Sequence, residues 1–391
     1  MYELKIVEKR LNMRQREQLD MLFVEGKWFY NHVLKLHETA RLSEINTTCI
    51  KKVVRLDRDK NEIVQELRYL SAAQKQAILA RMRENERAIM TLVRKKKQEH
   101  GSLRFKSELT CVPLRQYGMQ YKFKSENKVK IQGVSGAILV RGVGQLRDVD
   151  DFANANLVRR PDGYYLKVVT FTDKGKTREP KKNGKEIGLD FGVKTSITTS
   201  EGEKLDVSVG ESDRLKRLQR ELSRRARGSN NRYRTIGLIR REYQKLSNRK
   251  RDKANKIVHR LKQYSLIAIQ DENLSGWQRE GFGRKIQHSC LGLVKAKLKA
   301  LPQTVVLDRW IPTTKWCPGC QKKHPIGLAE RTFLCGCGYS EDRDVHAARN
   351  MLAIKDLVFQ AQGFVPAEHR EITLEEFEAS AGGSPFGKPG R

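Results

Sequence analysis

The spacing of apolar residues changes period along the chain, and the changes divide it. "MYELKIVEK" alternates apolar and polar positions and predicts one short strand. From Arg14 to about Arg41, Leu19, Leu22, Phe23, Phe29, Val33 and Leu36 recur at helical spacing. The Trp28-Phe29-Tyr30 cluster reads as helix core rather than as a platform for bases. "SAAQKQAILARMRENERAIMTLVRKKKQEH" predicts a second long helix, opened by Ser71 and Gln74 at the spacing of a capping box. A helical domain is therefore expected over 11–105. Period two takes over in "MQYKFKSENKVKI", "GAILVRGV" and "ANLVRRPDGYYLKVVTF", with Pro161-Asp162-Gly163 as a hairpin turn. These strands predict a small β-barrel over 106–182, closed by the N-terminal strand of residues 1–10.

Beyond the polar linker "TDKGKTREPKKNGK", "EIGLDFGVKTSITTSEGEKLDVSV" reads as consecutive strands joined by tight turns. "SLIAIQDENLSGW" is a strand entering a turn, "QHSCLGLVKAKLKAL" an amphipathic helix, "TVVLDRW" a strand and "DVHAARNMLAIKDLV" a closing helix. A strand-rich domain is assigned to 183–312 and 340–363, interrupted by an insert at 313–339. Residues 364–391, acidic and then rich in Gly and Pro, are expected to be a disordered tail. The fold class is multidomain α+β, in keeping with 391 residues.

Charge narrows the function. Lys and Arg number 78 against 46 Asp and Glu, a formal net charge of +32. Self-repulsion of that size calls for a polyanionic partner, and nucleic acid is the leading class. Between Glu211 and Lys262 there are 19 Lys/Arg against 5 Asp/Glu, in helical registers broken near "RGSNN". Arg224, Arg225, Arg227, Arg232 and Arg234 are the candidate phosphate contacts. No run reaches the ~18 apolar residues of a membrane span, and no signal peptide is expected at the N-terminus.

Four of the seven cysteines fall in two close pairs, Cys317-x2-Cys320 and Cys335-x-Cys337. Four thiolates on two turns complete a tetrahedral Zn2+ shell with no open position, so one structural zinc is expected. Gly336 and Gly338 make the tighter second turn feasible. His324 competes as a ligand but reads as a basic surface residue.

Acids stand at element ends in the strand-rich domain. Asp190 ends "EIGLD", Asp271 and Glu272 end "LIAIQDE", and Asp342 and Asp344 open the last helix. Hydrolysis of a phosphodiester needs carboxylates that bridge two divalent metals, brought by rigid elements from separate parts of the chain.

"GLDFGVKTS", "IQDENLSGW", the four-cysteine insert and "DRDVHAARN", in this order, resemble TnpB, the RNA-guided nuclease family of bacterial insertion sequences. They also resemble its kin, the miniature type V CRISPR nucleases. The resemblance covers about 186–356 by motif and the rest by lobe order and length. It implies a helical recognition domain at 11–105, a barrel (wedge) domain, and an RNase H-like RuvC nuclease domain with an inserted zinc ribbon. It implies the triad Asp190, Glu272 and Asp344 holding two Mg2+, beside one structural Zn2+ on Cys317, Cys320, Cys335 and Cys337. The implied activity is RNA-guided cleavage of DNA next to a short flanking motif. The implied partners are a guide RNA and a double-stranded DNA target, without a membrane, in a bacterial cytoplasm at the nucleoid.

One departure touches the triad. The common family form places Glu directly after the second strand, where this chain has Gln270. Glu272, two residues on, is expected on the same strand face, with Asp271 on the opposite face as the fallback acid. A nuclease-inactive RNA-guided repressor and a guide-free transposase or resolvase are the alternative readings.

Overall fold

The computed structural model describes the chain apart from residues 48, 57–60, 96–97, 174–180, 193–195, 328–329, 363–369 and 382–391. It divides into two units, Met1–Arg178 and Glu179–Arg391.

In the first unit, strand β1 (Tyr2–Ile6) is followed by helix α1 (Met13–Leu36), a hairpin of β2 (Lys52–Leu56) and β3 (Glu62–Glu66), and α2 (Ala72–Arg94). Six more strands follow: β4 (Cys111–Leu114), β5 (Tyr121–Ser125), β6 (Lys128–Ile131), β7 (Ala137–Arg141), β8 (Asp151–Arg160) and β9 (Gly163–Phe171). The seven-stranded sheet has the order β4-β8-β9-β1-β7-β6-β5. The N-terminal strand lies inside it, pairing Leu4 with Leu166 and Ile6 with Val140. Among the described residues, β4 and β5 remain its edges rather than closing a barrel, although the Tyr121 hydroxyl on β5 donates to Ala153 O on β8 at 2.9 Å.

Both long helices have the expected faces. Leu19, Leu22, Phe23, Phe29 and Val33 are buried, and Ser71 and Gln74 form the capping box of α2. They do not make a separate helical lobe, because α1, α2 and the sheet share one continuous core. The buried Glu25 carboxylate of α1 accepts three backbone N–H bonds, from Arg68, Tyr69 and Leu70, at 2.8–2.9 Å. That ties the approach to α2 onto α1.

The second unit runs β10 (Glu186–Gly192), β11 (Ser196–Thr199), β12 (Lys204–Asp206), α3 (Asp213–Arg224), α4 (Asn230–Leu261) and β13 (Leu266–Gln270). Then come two short helices, α5 (Leu274–Trp277) and α6 (Gly283–Gln287), followed by α7 (Leu291–Lys299) and β14 (Thr304–Leu307). The hairpin β15 (Thr332–Leu334) and β16 (Ser340–Asp342) leads into α8 (Arg343–Gln362), and β17 (Arg370–Ile372) and α9 (Leu374–Ser380) follow. The sheet order is β12-β11-β10-β13-β14-β17, antiparallel from β12 to β10 and parallel from β10 to β17.

Alternation along β13 sorts the two faces. Ile267 and Ile269 pack with residues of α4 and α7, whereas Ala268 packs with Met351, Ile354 and Val358 of α8. Gly188 on β10 meets α8 so closely that an added Cβ would enter the shell of Ala348 O. Only glycine allows the helix to lie that near the central strand.

The tail is more ordered than its composition suggests. β17 extends the sheet beside β14, and Phe377 of α9 is buried against Trp316 in an edge-on contact at 6.1 Å. The expected disorder from 364 therefore does not hold for 370–380; most of the remainder lies outside the described residues. No helix among the described residues is long and apolar enough to cross a membrane.

Candidate active site and cysteine cluster

Adjacent parallel strands carry the first two acids to the same end of the sheet. Asp190 sits near the end of β10, and Glu272 follows the end of β13 by two residues. Asp344 stands in the first turn of α8, which Gly188 lets pack against β10. Asp342 caps that helix instead, its Oδ1 accepting from the N–H groups of Asp344 and Val345 at 3.0 and 3.2 Å. Asp344 Oδ1 lies 3.7 Å from Arg343 Nε.

The environments of Asp190 and Glu272 disfavour charge. Burial, and next the Asp344 carboxylate, push Asp190 up to about 7, with Arg343 partly offsetting them. Burial pushes Glu272 up to about 8, against the pull of Lys295 and with the Asp190 charge adding to the rise. Glu272 Oε1 is buried and has no hydrogen-bond partner. Leaving a carboxylate oxygen buried and unpaired is costly, and a bound cation would offset that cost. The residues therefore fit a divalent ion. Among the described residues, the cysteines alone bring donor atoms to within 4.8 Å of one another as a set; the like-charged carboxylates stay wider apart.

Asp190, Asp342 and Asp344 open on a cavity of about 760 Å3 whose other walls include Lys204, Lys285, Lys315, Arg331 and Arg343. Glu272 is not among the residues that line it.

The three residues of the second motif separate cleanly. Gln270 is fully used: Nε2 donates to Asp308 O and Ile311 O at 3.0 and 2.7 Å, and Oε1 accepts from Thr313 Oγ1 at 2.9 Å. It anchors the loop after β14 and needs its amide to do so. Asp271 is held by Lys299 at 2.6 Å, Arg309 at 3.1 Å and Lys295 at 3.2 Å. Burial opposes its ionisation, but Lys299 and Lys295 outweigh that and hold it at about 2. The expected opposite facing of Asp271 and Glu272 is not realised, because the strand ends at Gln270 and Lys295 touches both.

The four cysteines converge as expected. Their sulfurs all lie within 4.8 Å of one another, with Cys317–Cys337 and Cys320–Cys335 each at 3.6 Å. Tetrahedral Zn–S bonds of about 2.3 Å would set sulfurs about 3.8 Å apart, so the cluster fits zinc. Gly338 takes φ +90° in the second turn, a conformation that favours glycine. His324 is half-buried and faces the cluster: its Nε2 lies 3.2 Å from both Cys320 and Cys335 and, as the main influence, draws the Cys320 thiol down to about 6.

Cluster and acid are mechanically joined. β16 ends at Asp342, so the ribbon hairpin runs directly into the helix that carries Asp344. On that helix Asn350 donates to Thr313 O and Trp316 O at 2.6 Å, and His346 stacks on Phe333 at 3.9 Å. Burial depresses His346 to about 4 and keeps it neutral. Sequence reasoning passed over both, although His346 and Asn350 stand four apart on one helix face. It also passed over Lys295, which sits on the apolar stripe Leu291, Val294, Leu298.

Of the five candidate arginines, Arg224, Arg227 and Arg234 are exposed. Arg225 pairs with Glu221, and Arg232 donates to Leu222 O at 2.8 Å, closing the turn between α3 and α4.

Residues 168–276 match the OrfB_IS605 family model, described as a probable transposase, and residues 293–351 match the Cas12f1-like TNB domain model. A protein of Streptomyces pristinaespiralis, named provisionally as an RNA-guided DNA endonuclease, is 32% identical over 180 residues. The match covers 43% of this chain and 44% of that protein, so the chain spans less than half the length of that relative. A chain of a CRISPR-Cas12f ternary complex solved by cryo-EM aligns at a TM-score of 0.28 and 13% identity, over 86% of this chain and 81% of that one. A superposition that loose defines no shared geometry.

Proposed function

We propose that the chain, similar in sequence to TnpB-like proteins, is a member of that family and an RNA-guided DNA endonuclease. Its second unit is read as a RuvC-type, RNase H-like nuclease domain with an inserted zinc ribbon. The observation that carries the reading is that Asp190 on β10 and Glu272, two residues beyond the parallel neighbour β13, come to the same end of the sheet, with Glu272 Oε1 buried and without a partner.

Asp190, Glu272 and Asp344 would hold two divalent cations, Mg2+ in the cell. Those ions, when bound, activate water and stabilise the leaving oxygen. The chain's own contribution is positional. Asp190 and Asp344 face the cavity while Glu272 stays behind it, Asp342 fixes the first turn of α8, and Lys204, Lys285 and Lys315 line the approach for a phosphodiester backbone. Arg224, Arg227 and Arg234 are free to contact guide-RNA phosphates, while Arg225 and Arg232 serve the fold. The partners are a guide RNA and a duplex DNA target with a short flanking motif, in a bacterial cytoplasm at the nucleoid.

Gln270 speaks only weakly for the repressor reading, and its fully hydrogen-bonded amide gives it a structural use. The description of the OrfB_IS605 model favours a guide-free transposase as the second reading. Purification followed by sequencing of bound RNA separates the two. One discrete co-purifying RNA is expected; nucleic-acid-free or randomly loaded protein would favour the transposase.

A further inference from the structure

Lys295 carries an ammonium inside an apolar core, and the nuclease reading gives it no role. It is 6% exposed on α7, at a position where Leu291, Val294 and Leu298 set the face. An ammonium is buried only where specific partners offset the lost hydration. Those partners are few. Nζ donates to Glu272 O at 2.6 Å and lies 3.4 Å from Glu272 Oε2 and 3.2 Å from Asp271 Oδ1. Asp271 has Lys299 and Arg309 as well, so it does not require a third cation. Glu272 has Lys295 at both its backbone and its side chain.

We infer that Lys295 is a positioning residue that grips Glu272 by its carbonyl and Oε2, leaving Oε1 as the single oxygen presented to a divalent cation shared with Asp190. The inference rests on the nuclease reading proposed above. It accounts for two facts together: the lysine on the apolar stripe and the buried oxygen without a partner. It also explains how Glu272 serves from outside the strand. Beyond Gln270 the chain has left the strand, so the ammonium replaces it as the rigid support.

Charge alone predicts the reverse effect of removing this group. An ammonium beside a cation site repels the incoming ion, so its loss should tighten binding. If Lys295 positions Glu272, its loss should weaken binding. The test is isothermal titration of Mn2+ into the full-length, zinc-loaded protein at pH 7.5 and 8.5. It compares wild type with Lys295→Met, Lys295→Gln and Asp190→Asn, with folding checked by circular dichroism. Lys295→Met should weaken Mn2+ binding about tenfold at both pH values, the scale seen when a partner of a metal ligand is removed. Lys295→Gln retains a donor for Glu272 O and should recover part of the loss; it also carries the test if the methionine variant does not fold. Equal or tighter Mn2+ binding in Lys295→Gln and Lys295→Met would overturn the inference. So would a loss that shrinks about tenfold from pH 7.5 to 8.5, because proton competition would then account for it. The nuclease reading fails separately: Asp190→Asn would leave Mn2+ binding unchanged, and the role of Lys295 would fall with it.

Discussion

Asp190→Asn should make the protein more stable, provided that no divalent ion is present. Burial and the neighbouring Asp344 raise the Asp190 carboxyl from its ordinary value of 3.8 to about 7. An acid whose folded-state pKa is raised carries no penalty below pH 4, where both folded and unfolded chains hold the proton. Between about pH 4 and 7 the unfolded chain ionises while the folded one does not, so stability falls as pH rises; above 7 the loss is complete. At about 1.4 kcal/mol per pH unit the full loss is about 4 kcal/mol. Asparagine keeps the shape without the charge and should recover most of it at pH 8. The assay is urea unfolding in magnesium-free buffer without a chelator, which keeps the zinc, followed by the fluorescence of Trp277, Trp310 and Trp316 in the second unit. The variant should gain about 3–4 kcal/mol at pH 8 and nothing at pH 4, and saturating Mg2+ should erase or reverse the gain by stabilising wild type. A variant no more stable than wild type at pH 8, or equally favoured at both pH values, would refute the reasoning.

Three further outcomes follow from the geometry. Gly188→Ala should cost about 3 kcal/mol in urea unfolding, because the new Cβ drives α8 off β10; wild-type stability would mean that the approach is not tight. Gln270→Glu should not restore the common family motif: it sets a carboxylate against the carbonyls of Asp308 and Ile311 and should cost about 2–4 kcal/mol, and a neutral result would contradict the assigned hydrogen bonds. Elemental analysis should find about one zinc per chain, and Cys335→Ser should lower both zinc content and thermal stability; reduced, freshly purified protein without zinc would dismiss the site.

What was legible in the sequence was whatever depends on local spacing. The apolar faces of α1 and α2, the Ser71–Gln74 cap and the paired cysteines are properties of neighbours in the chain, and each appears where the pattern put it. Asp190 and Asp344 were legible as acids at element ends. Pairings between distant residues were not. Lys295 meets Glu272 across 23 positions, and Gln270 meets Ile311 across 41. Nothing local in "LVKAK" or "IQDE" states these partners, though a lysine on an apolar stripe was a usable sign. His324 read as a surface residue because its partners, Cys320 and Cys335, approach it only when the ribbon closes. The acidic tail read as disordered because composition cannot show that β14 has a free edge for residues 370–372 to join.

The central claim is that Glu272, not its neighbour, completes the site with Asp190 and Asp344. Magnesium-dependent cleavage of a guide-matched DNA duplex, run side by side on wild type, Glu272→Ala and Asp271→Ala, tests it most directly. Wild type should cut. Glu272→Ala should lose nearly all cleavage while still binding the target, since dispersed phosphate contacts carry binding. Asp271→Ala frees Lys299 and Arg309, so it should lose some stability but keep cutting. Full cleavage by Glu272→Ala with none by Asp271→Ala would contradict the account.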